Sequence, residues 1–114
     1  MQIEHYSFGK VLIDGKAYTK DLIIYPKMIE PNWWRQEGHL LHINDLKDVM
    51  KDRPEALIIG TGYYGAMTVP TETVDKLRQM GVEVVIQKTQ DAVNYFNNID
   101  KTKKKVIAAL HLTC

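Results

Sequence analysis

The sequence predicts an α/β fold in one domain, on three observations. In the second half of the chain, apolar runs alternate with amphipathic segments, the pattern of parallel strands joined by helical crossovers. The first 25 residues read instead as short strands interrupted by an Asp-Gly pair. At 114 residues, with 45% hydrophobic and 25% charged side chains, the chain suits a single globular core. The expected form is a single-domain sandwich over residues 1–114: a mixed, mostly parallel sheet flanked by helices, plus an N-terminal β-hairpin.

Each element has a local cause. Gln2 to Phe8 alternates, with Ile3, His5 and Ser7 on one side and Glu4, Tyr6 and Phe8 on the other. Asp14-Gly15 lies between the apolar run Val11-Leu12-Ile13 and Lys16-Ala17-Tyr18; both residues tolerate positive φ, so a type I′ hairpin is predicted. Leu22 to Tyr25 is a further strand stopped by Pro26. Residues 26–38 are irregular, with two prolines and both tryptophans. Asn44 is the expected N-cap of a helix that turns Leu46, Val49 and Met50 inward and ends near Asp52, before Pro54.

Ala56-Leu57-Ile58-Ile59 is a continuous apolar run, as in a strand covered on both faces. Pro70-Thr71 opens a helix with Val74, Leu77 and Met80 on one stripe, closed by Gly81. Val82 to Ile86 is the next strand. Thr89 is the expected cap of a helix to about Asp100, with Ala92, Phe96 and Ile99 facing in, and Val106 to Leu112 closes the sheet.

Several functional classes lose support from the totals. The net charge is +1, and the basic run Lys101 to Lys105 has no interleaved aromatics, so a solvated turn is expected there and no nucleic-acid partner. No apolar window reaches membrane-spanning length, and Met1 to His5 lacks the character of a targeting segment. The one cysteine, Cys114, rules out an internal disulfide and suits a reducing compartment; the expected location is cytoplasmic.

Gly60-Thr61-Gly62-Tyr63-Tyr64-Gly65 matches the dinucleotide fingerprint and follows a strand. Its context fails, because Ala66 to Val69 is β-biased and the helix begins only after Pro70, too late to aim its N-terminus at a pyrophosphate. The next strand ends in Gln87-Lys88 rather than in an acid for the ribose. The glycines are better explained as a tight, partly positive-φ loop between a buried strand and an exposed one, and no cofactor is expected.

Ligands of parallel sheets bind beyond the carboxyl ends of the strands. Gly60, Thr61, Gly62, Thr89 and His111 lie there, with Arg35 or Lys88 as charge partner, an assortment suited to a small anion. The competing explanation is that Thr89 is only a cap and His111 only a packed, hydrogen-bonded side chain. His111 and Cys114 would diverge on a strand, so no metal site is expected. A nucleophile at Cys114, the last residue, would lack walls to exclude water, Ser7 sits in no G-x-S-x-G elbow, and Asp45 and Asp48 read as a solvated helix face, so no catalytic residue is assigned.

Trp33-Trp34-Arg35 is the most unusual segment. Adjacent indoles in an irregular stretch do not easily share one environment. One explanation is a lid over the sheet, with Arg35 paired to Glu37 or stacked on an indole; the other is a partner surface, since Trp and Arg dominate interface hot spots.

Pro31-Asn32-Trp33-Trp34-Arg35, Asn44-Asp45-Leu46, Leu57 to Gly62, Val69-Pro70, Gly81 to Val84, Thr89 with Ala92-Val93 and Tyr95, and His111-Leu112-Thr113-Cys114 occur in this order along the chain. As a set they resemble the Mth-938 domain family, also called domain of unknown function 498. The C-terminal half is most similar to its adipogenesis-associated animal branch. The resemblance implies a compact α/β fold and no known reaction. Other members act in fat-cell differentiation and in assembly of respiratory complex I, which implies interaction or assembly roles; the missing targeting segment argues against the latter role here.

The functional expectation is a non-enzymatic interaction or assembly module with a protein partner of unknown identity. The alternative is a small-anion-binding protein or enzyme. A homodimer paired at the hairpin edge is a secondary expectation.

Overall fold

The computed structural model describes residues 1–114. The strands are β1 (Ile3–Ser7), β2 (Lys10–Ile13), β3 (Lys16–Tyr18), β4 (Leu22–Ile24), β5 (Ile29–Glu30), β6 (Ala56–Thr61), β7 (Glu83–Gln87) and β8 (Val106–His111). A 3-10 turn over Ile43–Leu46 runs into α1 (Lys47–Lys51); α2 covers Thr71–Gln79 and α3 Thr89–Asn98.

Strands β1, β2 and β3 form an antiparallel meander of their own. The other five form one mixed sheet in the order β5-β4-β8-β6-β7. Its centre is parallel, β6 pairing with both β7 and β8, and β4 adds antiparallel pairs to β8 and β5. All six residues of β6 and of β8 are buried, because both faces of the sheet are covered. On one face the meander and α3 pack Ile3, Tyr6, Val11, Ile13, Ala92, Val93 and Phe96 onto Ile58, Ala108 and Leu110. On the other, Trp33, Leu41, Leu46, Val49, Met67 and Leu77 pack onto Ile23, Leu57, Ile59, Ile107 and Ala109. No helix is long and apolar enough to cross a membrane.

The hairpin forms at Asp14-Gly15 as predicted, both residues having positive φ. Four details depart from the sequence reading. The alternation in β1 is reset by a bulge between Ile3 and His5, so Ile3 and Tyr6 face inward together. Asn44 is not the cap: the turn starts after His42, whose N–H donates to Asp45 Oδ2 at 3.0 Å. Thr73 and Leu77 form the buried stripe of α2, whereas Met80 lies just past its end and is 58% exposed. Thr89 is the first residue of α3, preceded by Lys88 at the cap position, so its hydroxyl is free for another task.

The corrected α2 face gives a direct check. Leu77→Ala is expected to cost about 2–5 kcal/mol of unfolding free energy, the range for truncating a fully buried leucine. Met80→Ala is expected to cost less than about 0.5 kcal/mol. Urea unfolding of the two variants measures both.

Candidate functional site

The chain reverses direction across the sheet at β6: one crossover runs out to β7 through α2, and the next returns past β6 to β8 through α3. In parallel sheets the strand ends at such a switch point are where ligands ordinarily sit. Gly60, Thr61, Gly62, Thr89 and His111 meet there. Thr89 Oγ1 donates to the His111 carbonyl at 2.6 Å and accepts from Gly62 N–H at 2.8 Å, while Thr89 N–H donates to the Gly62 carbonyl at 3.1 Å. Thr89 therefore ties β6, β8 and α3 together through its side chain. Thr61 Oγ1 donates to the Gln87 carbonyl at 3.2 Å, adding β7.

The loop after β6 is engaged by the chain's own backbone. Tyr63 N–H donates to the Thr113 carbonyl at 2.7 Å, and Ala66 N–H to the Cys114 carbonyl at 2.9 Å. Gly62 has φ +110°, and a Cβ there would sit 2.5 Å from the Cys114 backbone. A Cβ at Gly60 would sit 2.8 Å from Thr89 Oγ1. These glycines thus serve close approach of residues 113–114 and of α3, in keeping with the loop reading of the motif. Ala66 to Val69 forms no strand; only Thr68 bridges to Leu40. Lys88 is exposed beside the loop, its stem 3.3 Å from the Cβ direction of Gly65.

Beside these strand ends is a cluster centred on Asp21, a residue with no pattern in the sequence to mark it. Its Oδ2 lies 2.8 Å from Arg35 Nη2 and 2.7 Å from His111 Nδ1, and its Oδ1 accepts from Leu112 N–H at 2.8 Å. The Asp21 carbonyl also accepts from Trp33 N–H at 2.9 Å. Because an ionised carboxylate only accepts, His111 Nδ1 carries the proton, and its 3.2 Å approach to Arg35 Nη2 is a donor–donor contact. Burial by itself would raise the Asp21 pKa; hydrogen bonds from His111 and Leu112, the His111 charge and the Arg35 hydrogen bond outweigh it, and the net shift is downward.

Arg35 also donates to the Gly38 carbonyl at 2.9 Å, and its guanidinium carbon stands 4.7 Å from the centre of the Trp33 ring. It stacks on an indole, one of the two arrangements expected, but its carboxylate partner is Asp21; Glu37 instead pairs with His42 at 2.7 Å. The Arg35 and His111 side chains are each 5% exposed, yet Arg35 Nε and Nη1 and His111 Nε2 have no hydrogen-bond partner. His39 stands edge-on over His111, ring centres 5.7 Å apart.

The two tryptophans part company. Trp33 is buried, its Nε1–H donating to the Asp45 carbonyl at 3.1 Å, whereas Trp34 is 76% exposed. A second exposed aromatic group, not anticipated, lies on the loop after β6: Phe8, Tyr63 and Tyr64 stack with centroid separations of 5.0–6.1 Å. Tyr63 and Tyr64 were visible as adjacent aromatics in a glycine loop; Phe8 is brought to them only by the β1–β2 turn.

Fold and cluster together define a small α/β domain whose strand ends are closed by its own backbone beside a largely buried Asp–Arg–His group. The chain belongs to the family described as protein of unknown function (DUF498/DUF598), which matches residues 3–111. Among solved structures it is similar to the conserved hypothetical protein PH1505 of Pyrococcus horikoshii, at 29% identity over 100% of both chains with a TM-score of 0.84. It is also similar to an outer membrane protein of Bartonella henselae (23% identity, 98% of this chain and 94% of that one, TM-score 0.81). A Mth938-like domain protein of Bordetella pertussis matches at 19% identity over 97% of this chain and 85% of that one, with a TM-score of 0.77. The last two likenesses concern the fold alone; with the family match they agree with the Mth-938 resemblance.

Asp21→Asn is expected to destabilise the fold by about 3 kcal/mol, because it leaves Arg35 buried without its counter-charge. Since folding lowers the Asp21 pKa, the stabilisation is complete above the unfolded carboxylate value of about 4 and is lost as pH falls through the lower folded value. Denaturant midpoints measured from neutral pH down to the acid range should converge for wild type and Asp21→Asn at the acid end.

Proposed function

We propose that this protein is a non-enzymatic interaction module and that Trp34 is its principal contact residue. The observation that carries this reading is the contrast within one dipeptide: Trp34 is 76% exposed while Trp33 is 6% exposed. Trp34 is mounted between two fixed residues. On one side, Trp33 is held by hydrogen bonds to Asp21 and Asp45; on the other, Arg35 is held by Asp21 and Gly38. An indole presented from an ordered base loses little conformational freedom on binding, which favours affinity. In this reading Trp33 and Arg35 are positioning residues rather than contacts, and the partner is a protein with a pocket for the indole, encountered in the cytoplasm.

Trp34→Ala is expected to change stability by less than about 0.5 kcal/mol, and Trp33→Ala to cost about 3–5 kcal/mol. In a pull-down from native lysate, wild type and the control Met80→Ala should retain the same partner and Trp34→Ala should lose it. Equal recovery with Trp34→Ala would sink the reading.

A second reading, small-anion binding at the strand ends, rests on the unpartnered Arg35 Nε and Nη1 and His111 Nε2. Two donors and, in the neutral imidazole, one acceptor suit an oxyanion that also bears a hydroxyl, such as a phosphate monoanion. It ranks second because Asp21 already neutralises Arg35 and because the loop N–H groups of Tyr63 and Ala66 are engaged by residues 113 and 114. A saturable rise in Tm with phosphate, beyond that with chloride at equal ionic strength, is the expected outcome under this reading; its absence removes it.

A further inference from the structure

Strands at the margin of a sheet carry unpaired backbone groups, which are a template for another strand. The margins of this fold are protected to different degrees. On β1, a side chain of α3 occupies the edge: Ile3 N–H donates to Asn97 Oδ1 at 3.0 Å, and the Ile3 carbonyl accepts from Asn97 Nδ2 at 2.7 Å. β3 is three residues long and begins with an exposed lysine, and β5 is two residues long. β7, the last strand of the mixed sheet, has no such device. It is five residues long, contains no proline, and keeps its register with β6 without a bulge.

Alternation shows which of its backbone groups are free. Glu83 N–H donates to the Glu55 carbonyl at 2.9 Å, and the Gln87 carbonyl accepts from Thr61 Oγ1 at 3.2 Å. Glu83, Val85 and Gln87 therefore turn their N–H and C=O toward β6, and those of Val84 and Ile86 point the other way. No other segment of the chain pairs along that side. Val84 packs half-buried on the α2 side and Val85 on the α3 side. Ile86 shares the face of Val84 but is 41% exposed.

This edge is complementary to itself. In antiparallel pairing about a two-fold axis at Val85, Val84 lies opposite the partner's Ile86, and each such pair exchanges both N–H···O=C bonds. Every free group of Val84 and Ile86 is then satisfied, and Ile86 gains an apolar cross-strand neighbour. On the other face Val85 meets its own copy, and Glu83 lies opposite Gln87, an acceptor against an amide donor, so no like charges are opposed. The neighbouring registers fail. An axis at Ile86 sets Val84 against Lys88, whose carbonyl already accepts from Ala92 N–H; an axis at Val84 sets Ile86 against Val82, whose N–H already donates to the Leu77 carbonyl.

We propose that β7 pairs antiparallel with β7 of a second copy of this chain about a two-fold axis at Val85, joining the two mixed sheets into one. A second copy is the occupant because a single contact satisfies both edges at once. The interface uses neither Trp34 nor the Asp21 cluster and depends on no reading of either.

The test is sedimentation equilibrium and NMR amide exchange of the full chain at low and high protein concentration. The mass is expected to rise from monomer to dimer. The amides of Val84 and Ile86 have no acceptor within one chain, so their exchange should slow about tenfold where nine chains in ten are paired. The Val85 amide, bonded to β6 in either state, is the internal reference. Ile86→Lys, at an exposed position, should keep the wild-type circular dichroism spectrum, remain monomeric and leave Val84 exchanging freely at both concentrations. A wild-type monomer at high concentration, a dimer whose new protection falls on β3 or another edge instead of Val84 and Ile86, or undiminished pairing in Ile86→Lys would overturn the proposal. The wild-type exchange pattern decides the matter without the variant.

Discussion

The carboxylate of Asp21 is the constraint on which the surface of this domain depends. It receives Arg35 from the tryptophan loop, His111 from the end of β8 and the N–H of Leu112, while its carbonyl receives the N–H of Trp33. One residue ahead of β4 thereby fixes an otherwise irregular segment against the final strand. The group persists in a buried setting because each charge has an opposite neighbour; removal of one member leaves the others without compensation, which is the costly case. What this fixes in space is Trp34. The residues on either side of it are each held by hydrogen bonds, while its own indole stays exposed.

The two ends of the mixed sheet are used differently. At the carboxyl ends of the parallel strands, where ligands of such sheets ordinarily sit, backbone groups of residues 113–114 and the hydroxyl of Thr89 satisfy the loop donors. At the opposite end, Tyr25 borders an open groove whose charged lining is balanced, with Glu30, Asp48 and Asp52 against Lys27, Lys51 and Lys105. The difference follows from where the chain runs: residues following β8 pass directly over the β6 loop, whereas β4 and β5 stop short on the other side.

The class of the fold was legible because it depends on period and punctuation. The buried runs at β6 and β8, the Asp14-Gly15 turn and the start of α2 after Pro70 are local signals, and the structure carries each of them. The misreadings have a common origin. Thr89 and Asn44 both have the residue type of a cap, because capping preference is a property of residue type; the Thr89 hydroxyl is claimed by partners across the sheet, and at the 3-10 turn the carboxylate of Asp45 closes on His42, ahead of Asn44. The β1 bulge is of the same kind, since an extra residue in one strand is visible only against its partner.

The candidate site was legible in part. His111, Arg35, Thr89 and the glycines could be named because residue type and strand-end position suffice to nominate them. Asp21 could not, since a single acid before an apolar strand carries no pattern, and its meaning comes from partners 14 and 90 residues away. Sequence by itself determined the strand and helix order, the burial of the central strands and the presence of two tryptophans needing different environments. Tertiary structure alone decided which indole is covered, which carboxylate pairs with Arg35, and which end of the sheet stays open. Those outcomes depend on long-range contacts, and residues distant along the chain acquire their electrostatic and steric surroundings only when the sheet brings them together.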